Sequence, residues 1–533
     1  MQNDLPAPRP PYTEAEAEQR FAELQKKLVS LWRSIQSLGQ EEQTIVVVPS
    51  FTVDTTASGS VLQAYEERFL FLLLLLRQPR ARLIYVTSQP VNPVIIDYYL
   101  HLLPGVIASH ARQRLFLVTP IDGSPLPLTQ KLLQRPRLLA QIRGLIRDPD
   151  RAHLVPYNTT PLERDLALRL GIPMYGADPK FFPFGTKTGC RRIFAAEGIP
   201  HPMGIEDLYS LEDVERAIIK MRGQRPELEK VLVKLNEGVS GEGNAAVDLS
   251  GLVQPGETAE REQVAERVRG MEFESATARL EEYVAKLAER GGIVEERIKG
   301  MDIESPSAQL RITPLGDVEL LSTHDQMLGG PSGQTFLGCK FPADPDYAGT
   351  IMKYSAKVGA RLAKEGVLGR FAIDFVTVRD EAGKWHAYAI EINLRKGGTT
   401  HPFLTLQFLT DGKYDPDTGV FLTPFGESKF FVASDHEESP LYRAFTPDDL
   451  FDIVARHGIH FDQTHQVGIV FHMMSALGDA GRLGLTAVGN TPAAAEELYR
   501  RAVEILDAEA RLALNLRPND EVTEDQGFEV EMV

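Results

Sequence analysis

GRFAIDFVTVRDEAGKWHAYAIEINLRKGGTTHP, from Gly369 to Pro402, is the stretch that decides how this chain is read. Arg370 to Val378 alternates, Asp380 to Lys384 is a polar turn, and Trp385 to Leu394 is a second β-rich run. A hairpin closing between Ala382 and Gly383 pairs residues whose numbers sum to 765, which sets Asp374 opposite Glu391. Directly opposed residues hold their Cβ atoms roughly 5 Å apart, and Asn393, two residues on, shares that face. Two carboxylates so placed repel, and the pair calls for a cation between them. Two carboxylates and one side-chain amide suit Mg²⁺, which takes its remaining ligands from water and substrate phosphates. A solvated hairpin face carrying charge would give the same letters, and the rest of the chain has to decide.

The whole sequence narrows the classes. A chain of 533 residues exceeds one ordinary core, so two to four packed units are expected. Its 43% apolar and 25% charged residues are those of a globular protein. A formal charge of −17 argues against nucleic acid or an anionic membrane as partner, since both need a basic footprint. Two cysteines, Cys190 and Cys339, form no disulfide framework and suit a reducing cytoplasm. The apolar run Phe69 to Leu76 is too short for a bilayer and reads as a buried helix, and Met1 to Tyr12 carries no secretory signal.

From Thr44 onward, β-branched runs (Thr44–Val48, Arg82–Thr87, Leu115–Val118, His153–Pro156) alternate with amphipathic stretches such as Ala64 to Arg77 and Leu128 to Arg147. That alternation predicts an open parallel sheet covered by helices. The boundaries expected are 1–40 for a partly helical leader, 41–180 for the α/β domain, 181–405 for a second unit of antiparallel ribbons and longer helices, and 406–533 for a C-terminal α+β region with an acidic tail. Helices are expected over Thr258–Val268 and Ser275–Arg290. In the last region the expectation is a ribbon, Gly468–Leu477 with Gly484–Gly489, and a helix from Pro492 to about Glu509.

Several segments carry chemistry. The strand Val231–Leu235 feeds Asn236-Glu-Gly-Val-Ser-Gly-Glu-Gly-Asn244, whose backbone N–H groups can approach phosphate oxygens beside Lys234, although no Gly-Lys-Ser/Thr opens a helix as in a Walker motif. Lys187 opens a helix ending near Gly198-Ile-Pro200, and Val294–Gly300 could offer backbone groups and a carboxylate to an adenine edge. Ser307, Gln309 and Arg311 alternate onto one face, where Arg311 could clamp a phosphate or pair with a surface acid. Leu321 to Gly333 reads as a polar substrate loop containing a structural His324, and Arg395 to His401 adds two cations and several donors after the metal strand.

In that order, the helix-leading lysine, the strand lysine with its glycine-rich loop, the acidic hinge strand, and Asp followed by Glu-x-Asn resemble the ATP-grasp superfamily. Lys187 lies eleven residues before Gly198-Ile-Pro, as in D-alanine:D-alanine ligase relatives. Ser-Pro-Ser-Ala-Gln-Leu-Arg-Ile (305–312), Ser-Thr-His-Asp-Gln-Met-Leu-Gly-Gly-Pro-Ser-Gly (322–333) and Glu-Ile-Asn-Leu-Arg-Lys-Gly-Gly-Thr-Thr-His-Pro (391–402) look like the pheganomycin-type peptide ligase branch, as do Phe471–Leu477 and Gly484–Asn490. The resemblance implies an ATP-grasp fold, two α+β lobes gripping nucleotide, preceded by the parallel-sheet domain and followed by the α+β extension.

It also implies roles. Lys187 and Lys234 would meet ATP phosphates, Gly241 and Gly243 would close over them, and Glu295, Glu296, Arg297 and Ile298 would bracket adenine. Asp374, Glu391 and Asn393 would hold Mg²⁺. Arg311, Arg395 and Lys340 are the candidate catalytic cations, because Ala372 stands where D-alanine ligase relatives carry an arginine and Arg370 lies four residues before Asp374. Asp325, Gln326, Ser332, Lys396, Gly397, Thr399 and His401 are candidate substrate contacts. The expected activity is ATP-dependent, Mg²⁺-dependent ligation of a small-molecule or peptide carboxylate to an amine through an acylphosphate, in the cytoplasm, with self-association left open. The alternatives are a small-molecule kinase on the same fold and a non-catalytic ATP-binding regulatory protein.

Overall fold

The computed structural model describes residues 11–36, 42–53, 59–238, 243–274, 278–329, 333 and 335–516. The first sheet is parallel, with order β3 (Leu115–Val118), β2 (Ala81–Val86), β1 (Gln43–Val48), β4 (Ala152–Pro156). Alternate residues of β1 and β2 face opposite sides, and both sides are apolar. Val46, Val48, Ile84 and Val86 pack with Leu132, Ile142 and Leu166, while Ile45, Val47, Leu83 and Tyr85 pack with Leu70, Leu73 and Tyr99. This is why the strands read as continuous apolar runs.

Two expected helices differ from the pattern. The stretch Leu128–Arg147 is two helices, Leu128–Leu133 and Pro136–Leu145, because Pro136 opens the second and forces Arg135 out of helical geometry, with φ −125° and ψ 77°. Ala64–Arg77 is likewise divided: an α-helix ends at Glu67, and Leu70–Arg77 winds as a tighter 3₁₀ run buried nearly all round.

A second sheet is antiparallel, with order β5 (Gly204–Leu208), β9 (Gly292–Glu296), β6 (Lys230–Leu235), β7 (Asn244–Asp248), β8 (Glu272–Phe273). Helices Leu211–Gln224, Glu260–Arg269 and Leu280–Arg290 cover it through Val214, Ile218, Val264 and Leu287.

The third sheet has nine strands. β15 (Trp385–Asn393) pairs with β14 (Gly369–Arg379), whose other edge takes the short β10 (Ile303–Glu304) and β11 (Pro306–Ile312). β12 (Val318–Gly329), β13 (Thr335–Phe341), β18 (Phe430–Glu438), β20 (Arg482–Gly489) and β19 (Gly468–His472) follow in that order. A separate ribbon, β16 (Lys413–Asp415) and β17 (Val420–Leu422), lies outside it. Two expectations change here. Leu321 onward is strand as far as Gly329, where a polar loop was expected. The longer C-terminal strands β18, β19 and β20 do not form a sheet of their own, because β18 pairs with β13 through Gly338↔Ser434 to Phe341↔Phe431, which leaves no exposed edge there. The expected limit at 405 falls inside the helix Thr400–Thr410.

Of three consecutive charged residues, the first is bonded within the first unit and the next two fasten that unit to the C-terminal region. Glu66 accepts from Ser88 N and Oγ, both at 2.6 Å; Glu67 accepts from Ser475 N at 3.0 Å and from its hydroxyl; Arg68 pairs with Asp435 at 2.7 Å. Among the described residues no helix is long and apolar enough to cross a membrane.

Burial pushes the Glu67 carboxyl up to about 7, even though the Ser475 hydrogen bonds act the other way. A raised acid stabilises the fold while protonated, so this contribution is present below the ordinary glutamate range and is lost as pH rises through about 7. Thermal unfolding should therefore show a fall in stability, on the order of 3 kcal/mol from this group, between acidic and mildly alkaline pH. Glu67→Gln should reduce that slope without removing it, since burial likewise pushes Glu66 up to about 7, and an unchanged slope would contradict the assignment.

Candidate active site

The hairpin brings the three candidate metal ligands together, by a route the sequence did not specify. Near the turn the pairs sum to 764 (Arg379↔Trp385 to Phe375↔Ala389), and a β-bulge at Ile390 restores 765, so Asp374 faces Glu391 and Ala372 faces Asn393. Bulges of this kind re-aim side chains beside functional sites. Asn393 Nδ2 donates to Asp374 Oδ2 at 2.9 Å, and Gln326 Nε2 donates to Asp374 Oδ1 at 3.1 Å. Asn393 Oδ1 is buried with no hydrogen-bond partner. An orphaned oxygen beside two carboxylates is the donor set of a hard divalent cation, so these residues fit Mg²⁺.

The electrostatics agree. Burial, helped by the charge of Glu391, pushes the Asp374 carboxyl up to about 6. Burial would raise Glu391 too, but Lys187, Arg395 and Lys234 outweigh it and hold that carboxyl below its usual range. Lys187 Nζ donates to Glu391 Oε2, placing one cation against the pair.

Lys187 is the first residue of the helix Lys187–Ala196, capped by the Thr186 hydroxyl, which accepts from Gly189 N at 3.0 Å. Gly189 is required there: a Cβ would lie 1.8 Å from the Pro183 carbonyl oxygen. Asn236, just past β6, ties this helix start to the Lys234 strand, since its carbonyl accepts from Lys187 N at 3.3 Å and its side chain from Thr188 N at 3.0 Å. A helix N-terminus with two lysines is suited to phosphate oxygens. Lys234 Nζ pairs with Glu295 Oε1 at 2.6 Å, while Glu295 Oε2 takes Arg191 at 3.2 Å, all three side chains being buried.

These groups line one cavity of about 680 Å³, which includes Lys187, Lys234, Gly243, Asp374, Glu391 and Asn393. Glu295, Glu296, Arg297 and Ile298 line it as well, although Glu296 already accepts from Met203 N at 2.8 Å and pairs with Arg225. Arg395, Gly397, Thr399 and Gln326 complete this wall. A cavity of that size is in the range of ligand sites.

Other candidates stand elsewhere. Arg311 pairs with Glu319 and lies over the Trp32 ring, lining a separate cavity with Lys396. It is set opposite Arg370, four residues along the ladder from Ser307↔Asp374 with Gln309↔Ala372 between, too far along the strand to meet a phosphate at Asp374. Lys340 is half exposed and pairs with Glu496 at 2.7 Å on the surface. Asp325 points away from Gln326, as alternation requires, and accepts from Tyr347 Oη at 2.8 Å and Asp344 N at 2.9 Å. His401 is buried against His472 at 3.0 Å and Asp435 at 3.2 Å. His324 is buried among Phe341, Phe403 and Phe431. Gly241 and Ser332 lie outside the described residues. Sequence reasoning missed Arg68, Tyr65, His436 and Arg482, which line the large cavity from the first unit and the C-terminal strands. No spacing rule links the first pair to the second, because more than 300 residues separate them in the chain.

A family described as "IQCH-like, ATP-grasp" matches residues 182–275 and 262–417, and one described as "PGM1 C-terminal domain" matches 449–502. The chain is 28% identical over 447 residues to an L-propargylglycine--L-glutamate ligase of Streptantibioticus cattleyicolor, covering 83% of this chain and 88% of that protein. It is 25% identical over 506 residues to the IQ motif-containing protein H of Danio rerio, covering 85% of this chain and 47% of that protein, so it spans under half of that relative. Of solved structures, the biotin carboxylase domain of the Hydrogenobacter thermophilus 2-oxoglutarate carboxylase superposes with a TM-score of 0.51 at 14% identity, covering 87% of this chain and 90% of that one. These structural likenesses concern the fold.

The Lys234–Glu295–Arg191 cluster yields a test. Glu295→Ala should cost about 3–5 kcal/mol in urea unfolding without nucleotide, because two cations stay buried without their shared carboxylate. A loss below about 1 kcal/mol would mean that the cluster does not hold the hinge strand.

Proposed function

We propose that this chain, which belongs to the ATP-grasp superfamily, is an ATP-dependent carboxylate-amine ligase that forms an amide bond through an acylphosphate. The observation that carries the reading is the convergence of Asp374, Glu391 and Asn393 with Lys187 in a cavity that also holds Lys234 and the acidic strand end Glu295–Ile298.

A substrate carboxylate oxygen attacks the γ-phosphorus of ATP, the bond from that phosphorus to the bridging oxygen breaks, and ADP leaves. An amine then attacks the acyl carbon, phosphate departs, and the amine gives up a proton. Mg²⁺, held by Asp374, Glu391 and Asn393, would neutralise phosphate charge. Lys187 would exchange its bond to Glu391 for one to a phosphate oxygen, and Lys234 would do the same from Glu295 while Arg191 keeps that carboxylate satisfied. Arg395, which lines the cavity beside Glu391, is the better of the candidate catalytic cations for the transferred phosphoryl group. Catalysis of this type rests on positioning and charge neutralisation.

The acceptor and donor would occupy the part of the cavity lined by Tyr65, Arg68, His436, Arg482 and the Gly397–Thr399 turn. Arg68 is held by Asp435, which lines the same cavity, so Arg482 is the guanidinium there that would favour a substrate bearing a carboxylate besides the one activated. The printed name of the ligase relative pairs two amino acids, which supports amino-acid or peptide substrates here.

Phosphate release assayed with Mg²⁺, ATP and pooled amino acids, with hydroxylamine added in parallel, should give a hydroxamate that reports the activated acyl group. A stable phosphorylated product with no hydroxamate would make the protein a kinase. Glu391→Gln should lower turnover by about 10²–10³-fold or more with the fold intact by circular dichroism, and substantial retained activity would contradict the metal assignment.

A further inference from the structure

A second cavity, of about 150 Å³, shares no lining residue with the nucleotide cavity. Arg311, Arg370 and Lys396 line it, and no acidic side chain does among the described residues. Arg311 has Glu319 as its partner. Arg370 stands directly opposite Arg311 in the β11–β14 ladder, and its Nη1 is buried without a hydrogen-bond partner. His153 Nδ1, on the same lining, is likewise buried and unpartnered. Lys396 is buried and donates to the Pro156 carbonyl at 2.6 Å, which satisfies one donor and leaves its charge uncompensated. Burial, then the neighbouring Arg311, holds Arg370 down to about 10; burial, then Arg370, holds Lys396 down to about 7. Glu319 thus stands as one carboxylate beside three cations, and the excess buried positive charge of Arg370 and Lys396 is stable only if an anion joins it or a proton leaves.

The remaining walls are apolar. Leu28 and Trp32 close the cavity from the helix Lys27–Gln36, Phe71 and Leu75 from the 3₁₀ run, and Leu404 and Phe408 from the helix Thr400–Thr410. A bare inorganic anion would use the cationic wall and leave the apolar one facing water. We propose that this cavity is a binding site for a small carboxylate carrying an apolar tail, its head group taken by Arg370 and Lys396 and its tail by Trp32, Phe71 and Leu404. The site is independent of the ligase reading, lying about 13 Å along β14 from Asp374. It adjoins the catalytic wall all the same, since Lys396 lines this cavity while its neighbour Arg395 lines the nucleotide cavity.

The chain has two tryptophans, Trp32 and Trp385, so Trp385→Phe leaves a single indole, on the cavity wall and under Arg311. Titrating that variant with sodium hexanoate should change Trp32 fluorescence saturably, while hexanol should not. Arg370→Met in the same background should weaken hexanoate at least tenfold. Leu75→Phe, which fills the cavity without touching its charges, should do the same and serves if Arg370→Met fails to fold. The absence of saturation with hexanoate, or an equal response to hexanol, would overturn the proposal. Inorganic phosphate displacing hexanoate with equal or better affinity would overturn the assignment of a tail.

Discussion

Two buried carboxylates facing each other across a β-ladder are the constraint on which this molecule turns. Asp374 and Glu391 are on opposed positions of β14 and β15, and Lys187 reaches them from a helix more than 180 residues earlier in the chain. Neither carboxylate can be charged at such a position without a nearby cation. The third sheet supplies the carboxylates and the helix Lys187–Ala196 supplies the cation. Asn236 then links that helix to β6 and so to the second sheet. The site is therefore where the two antiparallel sheets are joined, and its charge balance is part of what joins them.

Much of this was legible from local pattern. The parallel sheet followed from β-branched runs that are apolar on both faces, and the two strands of the hairpin followed from alternation on either side of a polar turn, although it is the bulge at Ile390 that sets the two carboxylates opposite each other. Of the two lysines expected beside them, Lys187 meets Glu391 and Lys234 pairs with Glu295 on the wall of the same cavity. What was not legible depended on partners distant in sequence. Arg311 has the right residue type and shares a face with Ser307, but its place on the ladder carries it to another cavity. Lys340, on a strand beside Asp325, turns to a C-terminal glutamate that no local rule pairs with it. His401 follows the metal strand closely and still ends in a buried cluster with Asp435 and His472, because the helix beginning at Thr400 carries it there.

The same reason hid the role of the C-terminal region. Its ribbon reads as a self-contained unit, with alternating strands and a well-capped helix. Only the free edge of β13 makes it part of the catalytic sheet, and edges are a property of the assembled sheet. Once joined, it brings His436 and Arg482 to the cavity, and Arg68 meets them through its bond to Asp435. One end of the cavity is thus built from the beginning and the end of the chain, the end holding Asp374 and Glu391 from its middle.

The bulge at Ile390 has a bearing on how this hairpin could change over time. Pairing at the tip runs in one register and pairing at the ligands in the next, with a single surplus residue between them absorbing the difference. A lineage could lengthen or shorten the exposed tip by one residue and, by losing or gaining that surplus, keep the same two acids across from each other. The outer end of the ribbon is thereby free to drift, while the chemistry at its base stays in alignment.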